Sequence, residues 1–255
     1  MIVYLIVVAI GVLFGSFLNV LIYRLPRGES IVWPGSHCPS CQEKLKSGDL
    51  VPLFGYLFLR GRCRYCQAPI SSRYPLVEAL TGVLFLLVYL KALSFLPDPY
   101  WWVWGLAGGV LMAILIVSTF TDLETGLIPD RLTYPGIMLG ILFSFFTVGW
   151  QSSLEGMFLF AGVLFLAAVL SRGGMGGGDV KLAAVIGTFV GLPGAFLSFV
   201  LASLLGGIWA IGLLTFTKAH GKTAIKYGPF LALAAAVAWL WGEQIIGAYL
   251  HLISF

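Results

Sequence analysis

The chain has 255 residues, 59% of them hydrophobic and only 10% charged. Ordinary soluble domains carry about 25% charged residues, so a soluble globular protein is excluded, and the apolar surface has to face lipid as well as protein. The net charge of +4 is therefore not a nucleic-acid footprint; what matters is where along the chain the basic residues fall.

The first apolar run, residues 2–23, has no Lys or Arg before it, and Arg24 and Arg27 follow it. That is the reverse of a secretory signal's charge order. It is expected to be a retained first span with its N-terminus outside. Further apolar runs at roughly 76–96, 101–121, 133–150, 153–170, 179–192, 195–217 and 229–250 bring the expected total to about eight transmembrane helices. The expected class is an all-α integral membrane protein. The sixth run is short, ends at Gly191-Leu192-Pro193-Gly194, and is either broken or continuous with the seventh. With the N-terminus outside, 14 of the 15 basic residues fall on one face, eight of them in the loop 24–75. The positive-inside rule makes that face cytosolic and puts both termini outside. The expected organisation is a first helix at 1–23, a cytosolic loop at 24–75 and a transmembrane domain at 76–255.

All four cysteines lie in that loop, as Cys38-Pro39-Ser40-Cys41 and Cys63-Arg64-Tyr65-Cys66. Two Cys-x-x-Cys pairs can surround one tetrahedral Zn²⁺ with four thiolates. Disulfides do not persist in a reducing cytosol, and the flanking Arg60, Arg62 and Arg64 favour thiolates. A loop too small and polar for a hydrophobic core gains its stability from the metal. With four ligands filled, such a site is structural.

Acids at the edges of spans are functional candidates. Asp122 ends the third span, where the helix dipole disfavours a carboxylate. Asp130 follows Pro129 and precedes the fourth span, an N-cap position. Asp179 opens the sixth span after the glycine-rich stretch 173–178. It reads either as another N-cap or as a catalytic acid beside glycines that let an extended substrate approach. No Gly-Lys-Ser/Thr follows those glycines, which argues against a phosphate loop. Lys181 is expected to snorkel toward head groups. Asp122 and Asp179 belong to different spans but the same membrane face. Two carboxylates that meet can share one proton, so one activates water while the other donates to the scissile carbonyl and then to the leaving amine. Asn19 reads as a helix-to-helix hydrogen-bonding residue, and Glu78, inside the second span, is left open.

An ordered set of segments resembles a known family. Gly176-Gly177-Gly178-Asp179 fits the Gly-x-Gly-Asp motif of intramembrane aspartyl proteases. Gly15-Ser16-Phe17-Leu18-Asn19-Val20, Arg24-Leu25-Pro26, the paired cysteines, Leu59-Arg60-Gly61-Arg62-Cys63, Arg73-Tyr74-Pro75-Leu76-Val77-Glu78, the 122–130 segment, Gly178-Asp179-Val180-Lys181-Leu182 and Tyr227-Gly228-Pro229-Phe230-Leu231-Ala232 are similar to those of bacterial type IV prepilin peptidases. The resemblance implies cleavage of type IV prepilins and pseudopilins after the Gly of a short basic leader, at the cytosolic face of the inner membrane. It also implies methylation of the new N-terminal amine with S-adenosylmethionine. It carries the catalytic pair onto Asp122 and Asp179, leaves Asp130 outside catalysis, and makes Gly61 and Glu78 candidates for the methyl-donor site without deriving their roles. Asp49 departs from the Asn of many members. Two rivals remain open at this point: a methyltransferase with structural aspartates, and a proton-coupled transporter with a zinc-stapled loop.

Overall fold

A computed structural model describes residues 1–171, 175–216 and 226–253. Arg172, Lys218 and Lys222 of the charge count, His220, and Gly173 and Gly174 of the glycine run lie outside the described residues. Among the described residues there are eight α-helices: α1 (Ile2–Arg24), α2 (Phe54–Phe58), α3 (Arg73–Leu93), α4 (Trp101–Thr125), α5 (Asp130–Ser144), α6 (Trp150–Leu170), α7 (Gly177–Phe216) and α8 (Gly228–Ile253). No extended strand occurs among them. The protein is an all-α integral membrane protein. Six helices are long and apolar enough to cross a bilayer by length and composition: α1, α3, α4, α6, α7 and α8.

Two of the eight expected runs do not count as separate spans by that measure. First, the fourth run makes a helix of only 15 residues, α5. At 1.5 Å per residue it extends about 22 Å, less than a hydrocarbon core of about 30 Å. Second, the sixth and seventh runs join as α7, interrupted at Gly191, whose φ of 66° and ψ of −176° are not helical. Pro193 has no N–H to give. The break also frees the N–H of Leu192, which donates to Ser152 Oγ of α6 at 3.0 Å. A break inside a membrane helix survives only where a neighbour satisfies the freed groups, and Ser152 does so here.

The chain divides into two compact units, Met1–Leu90 and Lys91–Phe255. In the first, α1 and α3 approach through glycines. A Cβ at Gly15 would lie 2.7 Å from Glu78 Cα, and one at Gly11 would lie 2.8 Å from Gly82 Cα. Asn19 Nδ2 donates to the carbonyl of Tyr74 at 3.1 Å, the expected helix-to-helix hydrogen bond. In the second unit, α7 packs against α6, α8, α5 and α4. Its core is Leu111, Met112, Phe160, Leu182, Ile186 and Phe189, all nearly or fully buried. Without a hydrophobic drive between helices in lipid, small residues that allow close approach decide which helices pair. At the α6–α7 crossing a Cβ on Gly156 would sit 2.6 Å from the Gly191 carbonyl carbon, and one on Gly187 would collide with the Gly156 carbonyl.

Backbone on both sides leaves no soft partner to yield. Gly187→Leu should therefore cost about 1–3 kcal/mol from overpacking, read as a lower melting temperature in detergent. Gly162→Leu, on α6 with nothing within 4 Å of the added Cβ, should melt like the parent protein. Equal melting of the two variants would remove the tight crossing from the account.

Candidate active site

Asp122 occupies the last turn of α4, which closes at Gly126 in the left-handed conformation. Asp179 occupies the first turn of α7. Both carboxylates are withdrawn from solvent, with relative exposures of 7% and 9%. They stand near enough that the Asp122 charge acts directly on Asp179. The backbone N–H of Gly228, which opens α8, donates to Asp122 Oδ2 at 3.2 Å. A Cβ on Gly228 would lie 2.8 Å from the same oxygen, so only glycine lets the backbone come this close. Lys226 adds a cation that acts on Asp122, and its Nζ donates to the Leu123 carbonyl. On the Asp179 side a Cβ on Gly176 would meet Asp179 Oδ2 at 3.5 Å, an ordinary contact. Gly178 rests on Ile128, with an added Cβ 3.1 Å from Ile128 Cβ, which seats the start of α7 on the turn after α4.

Asp130 departs from the cap expected of it. Pro129 takes the N-cap position, Asp130 is the first residue of α5, and no side chain caps this helix. Its carboxylate pairs with Lys181 Nζ at 2.6 Å. Lys181, expected to snorkel to head groups, is held by this pair and lies 5.4 Å over the Tyr134 ring. A carboxylate in the first turn is still favoured by the dipole, so Asp130 both begins α5 and ties it to α7. Lys226 and Gly228 were missed as site residues by sequence reasoning. The only signal was the Tyr227-Gly228-Pro229 segment, whose glycine marks a close backbone approach.

In the first unit the four cysteine sulfurs all lie within 4.8 Å of one another, with Cys38 and Cys66 Sγ 3.9 Å apart. A tetrahedron with Zn–S bonds of about 2.3 Å has edges of about 3.8 Å, so the cluster fits such an ion. The two pairs are built alike. The Cys38 N–H donates to the Glu43 carbonyl at 3.0 Å and the Cys63 N–H to Ala68 at 2.8 Å. The residue after each second cysteine, Gln42 and Gln67, has φ near +60°. Burial pushes the Cys38 thiol up, but the backbone N–H groups of Cys41 and Ser40, with the Cys41 and Cys63 thiols, outweigh it and bring it down to about 6. Cys41 moves the other way. The Glu43 backbone lowers it, yet desolvation and the Cys66, Cys38 and Cys63 sulfurs push it up to about 12. Four sulfurs this close share ionisation poorly unless a cation joins them. Backbone donors thus play the part expected of the flanking arginines. Arg64 instead pairs with Asp49 at 2.7 Å, and Asp49 also accepts the Lys46 N–H at 3.1 Å and the Tyr65 hydroxyl at 3.4 Å. Burial raises the Asp49 carboxyl, but Arg64 and the Lys46 N–H more than offset this and hold it below the ordinary range.

Gly61 and Glu78 both act on the segment between the cysteine pairs. Glu78 is buried and accepts the N–H of Leu53 at 2.7 Å. That hydrogen bond holds Leu53 at φ 62°, just before α2. Gly61, at φ 68°, follows α2, and a Cβ there would touch the Tyr56 hydroxyl at 3.0 Å.

Comparison with known proteins bears on the whole chain. The model of the bacterial peptidase A24 N-terminal domain matches residues 9–92, and that of the type IV leader peptidase family matches residues 109–211. A prepilin leader peptidase/N-methyltransferase of Aeromonas hydrophila is 36% identical over 94% of this chain and 91% of its own length. Proteins of the same name from Pseudomonas aeruginosa and Neisseria gonorrhoeae are 32% and 33% identical, over 97% and 92% of this chain and 93% and 90% of their own lengths. No solved structure matches. Peptidase-family sequence thus runs through both the cysteine-bearing unit and the unit that holds Asp122 and Asp179, and the chain belongs to the type IV leader peptidase family with a bacterial A24 N-terminal domain.

Proposed function

We propose that this chain is a bifunctional enzyme of the bacterial inner membrane. It cleaves the basic leader from type IV prepilins or pseudopilins at the cytosolic face and methylates the new N-terminal amine with S-adenosylmethionine. The observation that carries the peptidase half is the pair of buried carboxylates at the end of α4 and the start of α7, with the Gly228 N–H donating to the first. The names of its relatives support both halves, and a family of peptidases sets aside the transporter.

In this reading Asp122 and Asp179 are the catalytic residues and share one proton, because two carboxylates at close range do not both ionise cheaply. The ionised member draws a proton from water as it attacks the scissile carbonyl. The protonated member hydrogen-bonds that carbonyl oxygen and then protonates the departing amine. The N–H of Gly228 orients the Asp122 carboxylate for this work. The glycines before Asp179 let an extended peptide approach it closely. On the eight-span reading, which brings Asp122 and Asp179 to one face, the one-sided distribution of Lys and Arg supports a cytosolic site with both termini outside.

Cys38, Cys41, Cys63 and Cys66 would hold one structural Zn²⁺, which supplies cohesion to a loop with little apolar interior. S-adenosylmethionine supplies the electrophilic methyl group. Gly61 and Glu78 come to that reaction as residues that set the shape of the 53–61 segment.

Purified protein with a synthetic prepilin tests the peptidase half. Asp122→Asn and Asp179→Asn should each lower cleavage about a thousandfold or more, about 4 kcal/mol of barrier. Asp130→Asn, which loses only a half-exposed ion pair, should stay within about fivefold of the parent. Full cleavage by either of the first two variants would sink the shared-proton dyad. Elemental analysis of protein purified without chelator should find one zinc per chain, and Cys→Ser in either pair should abolish it. Metal-free, stably folded parent protein would defeat the zinc assignment. With radiolabelled S-adenosylmethionine, label should appear on the cleaved pilin N-terminus; unlabelled product would reduce the function to proteolysis.

A further inference from the structure

The cysteine-bearing segment carries more exposed apolar surface than a metal-stapled loop needs. Phe54, Leu57 and Phe58 of α2 are 57%, 66% and 82% exposed. Their spacing of three and four residues places them on one face of the helix, and the Phe54 and Phe58 rings stack with centroids 6.3 Å apart. The opposite face is occupied: Gly55 is buried against the Asp49 carbonyl, and Tyr56 reaches Gly61. The bare face is therefore not a remnant of poor folding.

The height of this helix relative to the spans follows from its tether. The Leu53 N–H is bound to Glu78, five residues after the first residue of α3, or about 7 Å along the axis at 1.5 Å per residue. The Ser16 hydroxyl reaches the same carboxylate, and Ser16 lies eight residues before the end of α1, about 12 Å in. By either measure α2 starts below the ends of the spans, and the first, about 7 Å, falls in the depth of about 5–10 Å where interfacial helices bury their apolar faces. A second apolar pair is held at the end of α1. Arg24, the last residue of α1, donates to the carbonyls of Ser30 at 2.8 Å and Pro34 at 2.7 Å. Between them, Val32 and Trp33 are 81% and 76% exposed. Trp is the residue enriched at the membrane–water boundary. Arg60 and Arg62 are exposed just after α2, placed to meet anionic head groups.

We propose that this segment is itself membrane-inserted: the Phe54-Leu57-Phe58 face of α2, with Val32-Trp33, lies in the adjoining leaflet of an anionic phospholipid bilayer and anchors the metal-binding loop flat against it. The proposal is independent of the catalytic assignment.

The test uses the full chain in nanodiscs of phosphatidylethanolamine and phosphatidylglycerol that include a phospholipid with a diazirine in its acyl chain. After irradiation, peptide mass spectrometry should find lipid adducts on residues 54–58 and 32–33, as on exposed apolar residues of the spans. None should appear on the exposed polar stretch Gln42-Glu43-Lys44. Adducts on the spans alone would overturn the proposal. A second arm adds a saturating synthetic prepilin with its apolar helix. Adduct yield should be unchanged, whereas loss of the adducts at 54–58 would assign that face to the substrate peptide and reject the lipid.

Discussion

The hydrogen bond from Gly228 N–H to Asp122 resolves a conflict that the helices create. A carboxylate in the last turn of a helix faces the negative end of that helix's dipole, and a buried one loses water as well. Asp122 suffers both at the end of α4. The start of α8 answers with an unsatisfied backbone donor and the positive end of a second dipole, and Lys226 adds a full charge two residues earlier. Asp179 sits in the first turn of α7, the favourable end of that helix's dipole. Three helix termini thus meet around two acids. The electrostatics hold only if α4, α7 and α8 keep their ends together.

That requirement explains where the small residues lie. Gly228 lets backbone touch carboxylate, and Gly178 lets the start of α7 settle on Ile128. Gly156 and Gly187 let α6 and α7 cross at backbone distance. The ion pair of Asp130 with Lys181 then links α5 to α7 within two residues of Asp179. In lipid, where apolar contact between helices gains little over contact with acyl chains, such approaches and polar ties supply the specificity of packing. The glycines near the site are therefore part of its electrostatics as well as of its shape.

The long helices α1, α3, α4, α6 and α8 were legible in the chain because each is a single uninterrupted apolar run. The boundaries of α1, α4 and α8 fall within a few residues of expectation. The cysteine cluster was legible because two Cys-x-x-Cys pairs specify their own local geometry, and the two copies here repeat the same turn. What stayed hidden depends on contacts between distant segments. Asp130 beside Pro129 has the local pattern of a cap, and only the arrival of α7 reveals Lys181 as its partner. Lys226 and Gly228 lie about a hundred residues from Asp122 and carry no local mark of a link to it. The break at Gly191 was visible as Gly-Leu-Pro-Gly, but whether the helix stopped or continued turned on Ser152 in α6.

Glu78 shows how far a single buried acid can reach. Read alone inside an apolar run, it resembles a proton carrier or a ligand to a cofactor. Its oxygen instead closes on the Leu53 backbone and fixes a left-handed residue at the entry to α2. Gly61 fixes the exit with another positive φ. The segment between them is therefore rigid at both ends without being long, while the metal-ligating turns begin directly after it at Cys63. Glu78 thus joins the interior of α3 to the fold of the cysteine loop. An exposed surface salt bridge contributes little to stability, whereas a buried carboxylate left without its donor is costly. Loss of the Leu53 donor would thus leave the buried Glu78 carboxylate short of a partner and the entry to α2 without its tie to α3.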